Sequence, residues 1–427
     1  NSVIILDEAH NLTAADSRSS RSRPTQDIQL QYKRFRKIFS DPTIVPNRKI
    51  VLLSGTPMIN GARDIVGMLN LILPKNLELK WQDLETLKAE LPERVKGRVS
   101  YIKEAIETGT PKAIMEGRLA KPLSRFKLLY IAMSQYQSEY YNEVRKKTDK
   151  KAFDLDAQRA ALWAWSKKDQ VSDFPSVKDW VNRQGRLVPE FWKTIDTPDK
   201  LCKFSCKFHR IVELAKNGPW PIYVYCNIVG DLPGGGKRSI SAAGLKLLSL
   251  ILDKMGFSRF TEQSTSNGQR YMYFTSQDRP TKKTLELFNR PEKNKDGRIC
   301  KLVLGSAASS EGYTFRNIKR EIVLTPHHHY AQIAQALARG VRVGAHDSGG
   351  VGSGTVKIER LVAVPGQGNQ ACGNIITDVA EFSENEVIDI KLYLRSEKKD
   401  IEIKQVENII KKNAWDCAFN FQQNKRP

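Results

Sequence analysis

No stretch of this 427-residue chain is apolar for long enough to cross a bilayer. Its longest apolar runs, such as Lys49-Ile50-Val51-Leu52-Leu53 and its flanks, fall far short of the roughly twenty residues that a membrane helix needs. The opening residues lack the positively charged and then apolar pattern of a signal peptide. No internal repeat recurs at a fixed period, which argues against solenoid and propeller architectures. Cysteine is sparse. The six residues, at 202, 206, 226, 300, 372 and 417, are scattered, as expected of a reduced intracellular protein. Cys202 and Cys206 with His209 supply half of a metal site without a second ligand pair at close spacing, and His327-His328-His329 reads as a loop. Neither is assigned as a metal-binding set.

Acidic residues are outnumbered, 47 against 69 Lys+Arg, which leaves a net charge of +22. A surplus of that size favours a polyanionic partner, and nucleic acid is the commonest one. With 40% apolar and 27% charged residues the composition is that of a globular protein, long enough for two to three domains.

The first seventy-odd residues read as α/β. Val3–Leu6 and Ile50–Leu53 are short apolar runs of the kind that form buried parallel strands. Between them, Ile28–Phe39 has helical spacing of apolar residues, preceded by a basic Ser/Arg-rich loop over Ala14–Asp27. Residues 76–200 are expected to be mainly helical, an insertion or linker region rich in Lys, Trp and Tyr. From 201 to 427 strands again alternate with helices, which predicts a second parallel sheet and a charged closing helix over Asp400–Lys412.

The opening segment, NSVIILDEAHNL, starts inside what reads as a buried strand, and is expected to belong to a larger protein. An apolar strand ending in Asp7-Glu8 has two readings. At the carboxyl end of a parallel strand, Asp7 can hold Mg²⁺ against nucleotide phosphates while Glu8 orients and deprotonates a water. Alternatively the pair is a surface feature at a helix start, favoured by the macrodipole. Companion segments support the first. Ser54-Gly55-Thr56-Pro57 follows the strand Ile50–Leu53 with two hydroxyls beside a tight turn, and Gly305-Ser306-Ala307-Ala308-Ser309-Ser310-Glu311-Gly312 follows another strand. Farther on, Gln335, Arg339 and Arg342 fall on one face if the helix beginning near Tyr330 continues. Arginines so placed can neutralise charge on a transferring phosphoryl group.

In order and spacing these four segments resemble motifs II, III, V and VI of superfamily 2 helicase-like ATPases of the Swi/Snf type. LGSAASSEGYTFRNI, LTPHHHYAQIAQALARG and the tail IDIKLYLRSEKKDIEIKQVENIIKKNAWDCAFN are similar to the DExH-box ATPases of large cytoplasmic DNA viruses, the poxvirus nucleoside triphosphatase and early transcription factor type. The resemblance thins between about 75 and 120 and from 145 to 195.

It implies an α/β protein of two RecA-like lobes with parallel sheets: an incomplete first lobe over 1–75, a helical region over 76–200, and a second lobe over 201–427. It implies a nucleic-acid-stimulated ATPase or translocase of viral transcription, using ATP and Mg²⁺ between the lobes. Asp7 would be the Mg²⁺ residue and Glu8 the catalytic base; His10, Ser54 and Thr56 would couple nucleotide to movement. Ser306 and Glu311 would serve coupling or nucleic-acid contact, Gly312 the motif V turn, and Gln335, Arg339 and Arg342 the completion of the ATP site. The implied partners are DNA more than RNA and viral RNA polymerase or transcription factor subunits, in the host cytoplasm and virion, with no membrane.

One required part is missing. The phosphate-cradling G-x-x-x-x-G-K-[ST] does not occur. Leu232–Arg238 has Arg where Ser or Thr is needed, and Gly349–Thr355 lacks the lysine; both read as loops. The chain alone is therefore expected to be inactive. A non-catalytic module that docks onto nucleic acid or polymerase is the alternative.

Overall fold

The computed structural model describes residues 2–13, 26–41, 43, 47–102, 111–147, 155–165, 180–182, 186–230, 243–310, 313–342, 344–346, 354–366, 371–377 and 387–419. The glycine-rich stretches after Leu232 and Gly349, except Gly354 and Thr355, lie outside them, as do residues 14–25 of the basic loop expected over Ala14–Asp27, whose last two residues instead begin the helix Gln26–Ser40. Contacts divide the chain into two units, residues 1–106 with 329–332 and 395–427, and residues 107–328 with 333–394.

In the first unit, β1 (Ser2–Leu6) and β2 (Arg48–Leu52) pair in parallel, with Ser2 opposite Arg48 and Leu6 opposite Leu52. Successive side chains on a strand point to opposite faces. Ile4, Leu6, Ile50 and Leu52 pack against a cluster of Tyr32, Phe39 and Leu71, so the helix Gln26–Ser40 covers that side. The other face is apolar too, but Val3 and Ile5 are 62% exposed, Val51 40% and Leu53 47%. Parallel sheets are ordinarily covered on both faces. A second core joins Met58, Ile65, Leu69, Leu87, Leu91 and Val95 to Ile403, Val406 and Ile410 of the closing helix Ile388–Asn413. The helix Leu84–Val95 starts there because the Asp83 carboxylate accepts the Thr86 N–H at 2.8 Å.

Among the described residues the second unit is built on eight strands: β3 (Lys112–Met115), β4 (Leu129–Ala132), β5 (Ile222–Tyr225), β6 (Ser258–Arg259), β7 (Arg270–Phe274), β8 (Leu302–Gly305), β9 (Arg320–Val323) and β10 (Thr355–Val364). Their order is β3-β10-β9-β5-β8-β7-β6, with β4 pairing the far end of β10, and the pairings are parallel. Two parallel sheets with helical crossovers make an α/β fold, as expected from the alternating pattern. The region 76–200, expected to be mainly helical, also contributes β3 and β4 to the large sheet. Leu129–Ala132 is buried throughout, and a four-residue apolar run of this kind has no periodicity that separates strand from helix.

One face of this sheet carries Ile222, Val224, Leu302, Leu304 and Ile322 into a large core with Phe208, Ile211, Leu248 and Trp163. Trp163 sits among Trp165, Phe191, Phe204 and Phe208, with ring centroids 5.8 to 6.1 Å away. The helix Cys206–Asn217 opens with the Ser205 hydroxyl accepting the Phe208 N–H and closes at Gly218, whose φ of 71° suits glycine. Its Lys207 is fully buried, 2.6 Å from Asp389, and donates also to the Leu324 carbonyl. The opposite face, with Tyr223, Glu321 and Phe274, receives the segment around Phe315.

Candidate nucleotide and coupling site

Because Leu6 lies opposite Leu52, β1 and β2 end level, and the two loops leave the sheet side by side. Leu53 N–H donates to the Leu6 carbonyl at 2.8 Å and Ala9 N–H to the Leu53 carbonyl at 2.9 Å. Asp7 and Glu8 stand exposed at this edge. The Asp7 carboxylate accepts the Glu8 N–H at 2.8 Å, and Glu8 takes a left-handed φ of 49°, a conformation non-glycine residues rarely adopt. His10 is buried, and its Nδ1 lies 2.8 Å from Ser54 Oγ and 3.3 Å from Glu8 Oε2. Ser54 Oγ in turn accepts the Thr56 N–H at 3.2 Å. The structure thus brings Asp7, Glu8, His10, Ser54 and Thr56 together.

The donor chemistry of this edge suits Mg²⁺, which takes one or two carboxylates and leaves its other positions to water and phosphate. Among the described residues no group of three or more His, Cys, Asp or Glu could enclose a metal, so a dedicated cage for a softer ion is not present there. Asp7 would hold Mg²⁺, with Glu8 alongside to orient a water.

In the second unit, β8 ends at Gly305, and the Ser306 that follows is buried, with its N–H donating to the Phe274 carbonyl at 3.1 Å. A Cβ on Gly305 would stand 2.7 Å from the Tyr223 ring, so only glycine fits. Glu311 and Gly312 lie outside the described residues. Just beyond them, Arg339 Nη1 donates to the Tyr313 carbonyl at 3.1 Å, Phe315 N–H to the Arg339 carbonyl at 3.1 Å and Asn317 N–H to the Ala345 carbonyl at 2.7 Å. The two segments after β8 and after the helix Tyr330–Leu337 are therefore stitched together.

This corrects the expectation that Gln335, Arg339 and Arg342 share one helical face. Gln335 is helical and half-buried, but the helix ends at Leu337. Beyond it Arg339 is 6% exposed while Arg342 is exposed, so the two arginines have separate surroundings. A bonded, buried guanidinium is a structural tie; an exposed one is available to a ligand.

Some contributors were not anticipated from the sequence. Asn289 donates through Nδ2 to the Thr314 carbonyl at 2.9 Å and accepts the Arg316 N–H at 2.8 Å, bracing the same segment. Glu321, an acid on the fully buried strand β9, accepts the Gly340 N–H at 3.0 Å. The scattered-cysteine expectation also needs correction: Cys202 and Cys372, 170 residues apart, form a disulfide. Cys206, Cys226, Cys300 and Cys417 are free thiols.

Comparison with known proteins places relatives beside this chain. Residues 1–167 match the SNF2-related domain. A helicase-named protein of Frog virus 3 (isolate Goorha), 009L, is 30% identical over the whole of this chain and 41% of its own length. The early transcription factor 70 kDa subunit of Melanoplus sanguinipes entomopoxvirus is 21% identical over 80% of the chain and 52% of that protein. Nucleoside triphosphatase I of the same virus is 21% identical over 84% and 56%. The chain spans about half the length of these relatives, or less. Its first 167 residues match the SNF2-related domain, and the chain is similar along most of its length to viral proteins named as a helicase, an early transcription factor subunit and a nucleoside triphosphatase.

Proposed function

We propose that the chain is the working part of a nucleic-acid-stimulated ATPase that moves along nucleic acid during viral transcription, in company with polymerase or transcription factor subunits. The observation that carries this reading is the bond between His10 and Ser54, which ties the loop bearing Asp7 and Glu8 to the loop after the neighbouring strand. Such a tie lets a change at the metal edge be felt one strand away, which a motor needs and a passive docking module does not. Asp7 supplies the Mg²⁺ ligand, Glu8 acts on the water, and Arg342 neutralises charge on the phosphoryl group. The net charge of +22 supports phosphate-backbone contact with DNA in preference to a neutral partner. The viral homologues support action within infected cells, and on this reading the compartments are the host cytoplasm and the virion.

The test uses the complete polypeptide. ATP hydrolysis is measured with and without duplex DNA for the parent and for Glu8→Gln. The expected result is DNA-stimulated turnover that Glu8→Gln abolishes while ATP and DNA still bind. The 427-residue chain by itself, which holds no phosphate loop, is expected to bind duplex with steep salt dependence and to hydrolyse nothing. Binding without turnover in the complete polypeptide would favour the docking-module alternative.

A further inference from the structure

Glu321 has no role in the chemistry set out above, yet it is among the most enclosed acids in the chain. It lies on β9 opposite Tyr223 of β5 and Ile358 of β10, with 0% of its surface exposed. One carboxyl oxygen, Oε1, accepts the Gly340 N–H at 3.0 Å; the other, Oε2, has no hydrogen-bond partner among the described residues. Burial pushes its carboxyl well above the usual carboxylate range, with only the Gly340 N–H opposing it. The acid at this place serves one bond, as acceptor for the Gly340 amide.

Its partner is as constrained as it is. A Cβ on Gly340 would stand 2.6 Å from Glu321 Oε1 and 3.0 Å from Ile318 Cβ, so only glycine lets the loop come down onto the acid. Gly340 follows the tethered Arg339 and precedes the exposed Arg342 by two residues. Downstream, Ala345 N–H returns to the Arg342 carbonyl at 2.9 Å. The loop carrying Arg342 is thus pinned on both sides, from below by Glu321 and laterally by the Tyr313–Asn317 segment.

We propose that Glu321 is a positioning residue: its buried carboxyl seats the Gly340 amide and so fixes the place from which Arg342 is presented. The proposal rests on the ATPase reading of Arg342 but makes a claim of its own about the loop. Reacting groups displaced by about 1 Å can lose on the order of a hundredfold in rate, so a seat this far from the chemistry still shows in turnover.

The experiment compares Glu321→Gln, which keeps the acceptor without charge, with Glu321→Leu, which keeps the volume and removes it. In the complete polypeptide, Glu321→Gln should stay within about threefold of the parent kcat, whereas Glu321→Leu should fall at least about tenfold with little change in KM for ATP. In the 427-residue chain, deuterium exchange at the Gly340 amide should quicken about tenfold or more in Glu321→Leu and not in Glu321→Gln. If Glu321→Leu does not fold, Glu321→Asp, an acid too short to reach, is read in its place with the same expectation. Unchanged amide exchange and unchanged kcat in the folded Leu or Asp variant would overturn the proposal. Failure of the ATPase reading shows differently: a parent without turnover, or one indifferent to Arg342→Ala, leaves the amide exchange to decide the role of Glu321.

Discussion

His10 Nδ1 lies 2.8 Å from Ser54 Oγ, so one buried imidazole joins the loops that follow two adjacent parallel strands. A single hydrogen bond of this kind contributes roughly 1 kcal/mol to stability, which a protein of this size tolerates losing. Ser54→Ala should therefore leave the melting temperature of the chain within a few degrees of the parent. In the complete polypeptide it should uncouple DNA from hydrolysis, lowering stimulation by duplex more than the basal rate. Equal loss of both rates would show that the bond serves only the metal edge.

The two arginines after the helix Tyr330–Leu337 should part company on mutation. Arg339 is buried and bonded to the Tyr313 carbonyl, so Arg339→Ala is expected to destabilise the chain by about 1–3 kcal/mol. Exposed Arg342→Ala should stay within about 0.5 kcal/mol of the parent. Turnover of the complete polypeptide should fall on the order of a thousandfold for Arg342→Ala. Thermal melts and ATPase rates on both variants check this, and a stable Arg339→Ala would reverse the assignment.

The pair Lys207–Asp389 stands at 0% and 1% exposure, fully inside the second unit. Removing one partner strands the other charge, so Lys207→Met should cost about 3–5 kcal/mol. Lys207→Met combined with Asp389→Leu should recover much of that loss, because no unpaired charge remains. Chemical denaturation of the single and double variants measures both values; a double variant no better than the single one would mean that the bonds to the Leu324 carbonyl and from the Ala363 N–H dominate.

Glu321 gives the chain a pH dependence of definite sign. Its folded pKa is raised by burial above the ordinary 4.5, so below that value folded and unfolded chains both hold the proton and its contribution to stability is fully present. As pH rises above 4.5 the unfolded chain releases the proton first, and stability declines by at most about 1.4 kcal/mol per pH unit. Melts from pH 5 upward should decline less steeply for Glu321→Gln than for the parent. Parallel curves would place Glu321 in a more polar setting than the structure does.

The strand ends that were legible in the sequence share one property: a short apolar run that ends abruptly in polar letters. Asp7, Glu8 and Ser54 were placed beside one another that way, because strand ends in parallel sheets are where such letters collect. Arg339 was misplaced for the opposite reason. The helix was expected over Tyr330–Ala338, and placing Arg339 and Arg342 on its face carried the 3.6-residue period past Gly340, where backbone bonds to Tyr313 and Phe315 take over. Glu321 was overlooked because KREIV reads as a charged approach to a strand, and its burial depends on a glycine nineteen residues away. The link between Cys202 and Cys372 spans 170 residues, beyond the reach of any local spacing rule.

The uncovered face of β1 and β2 has a colloidal consequence. Four apolar side chains, Val3, Ile5, Val51 and Leu53, lie open on a molecule whose net charge of +22 keeps copies apart. Salt screens that repulsion over about 10 Å at 0.1 M while leaving apolar attraction in place. The chain should therefore stay dispersed in dilute buffer and self-associate as ionic strength rises, the reverse of its behaviour toward DNA. Light scattering across a salt series reads it, and replacing Ile5 and Val51 by Thr should flatten the curve.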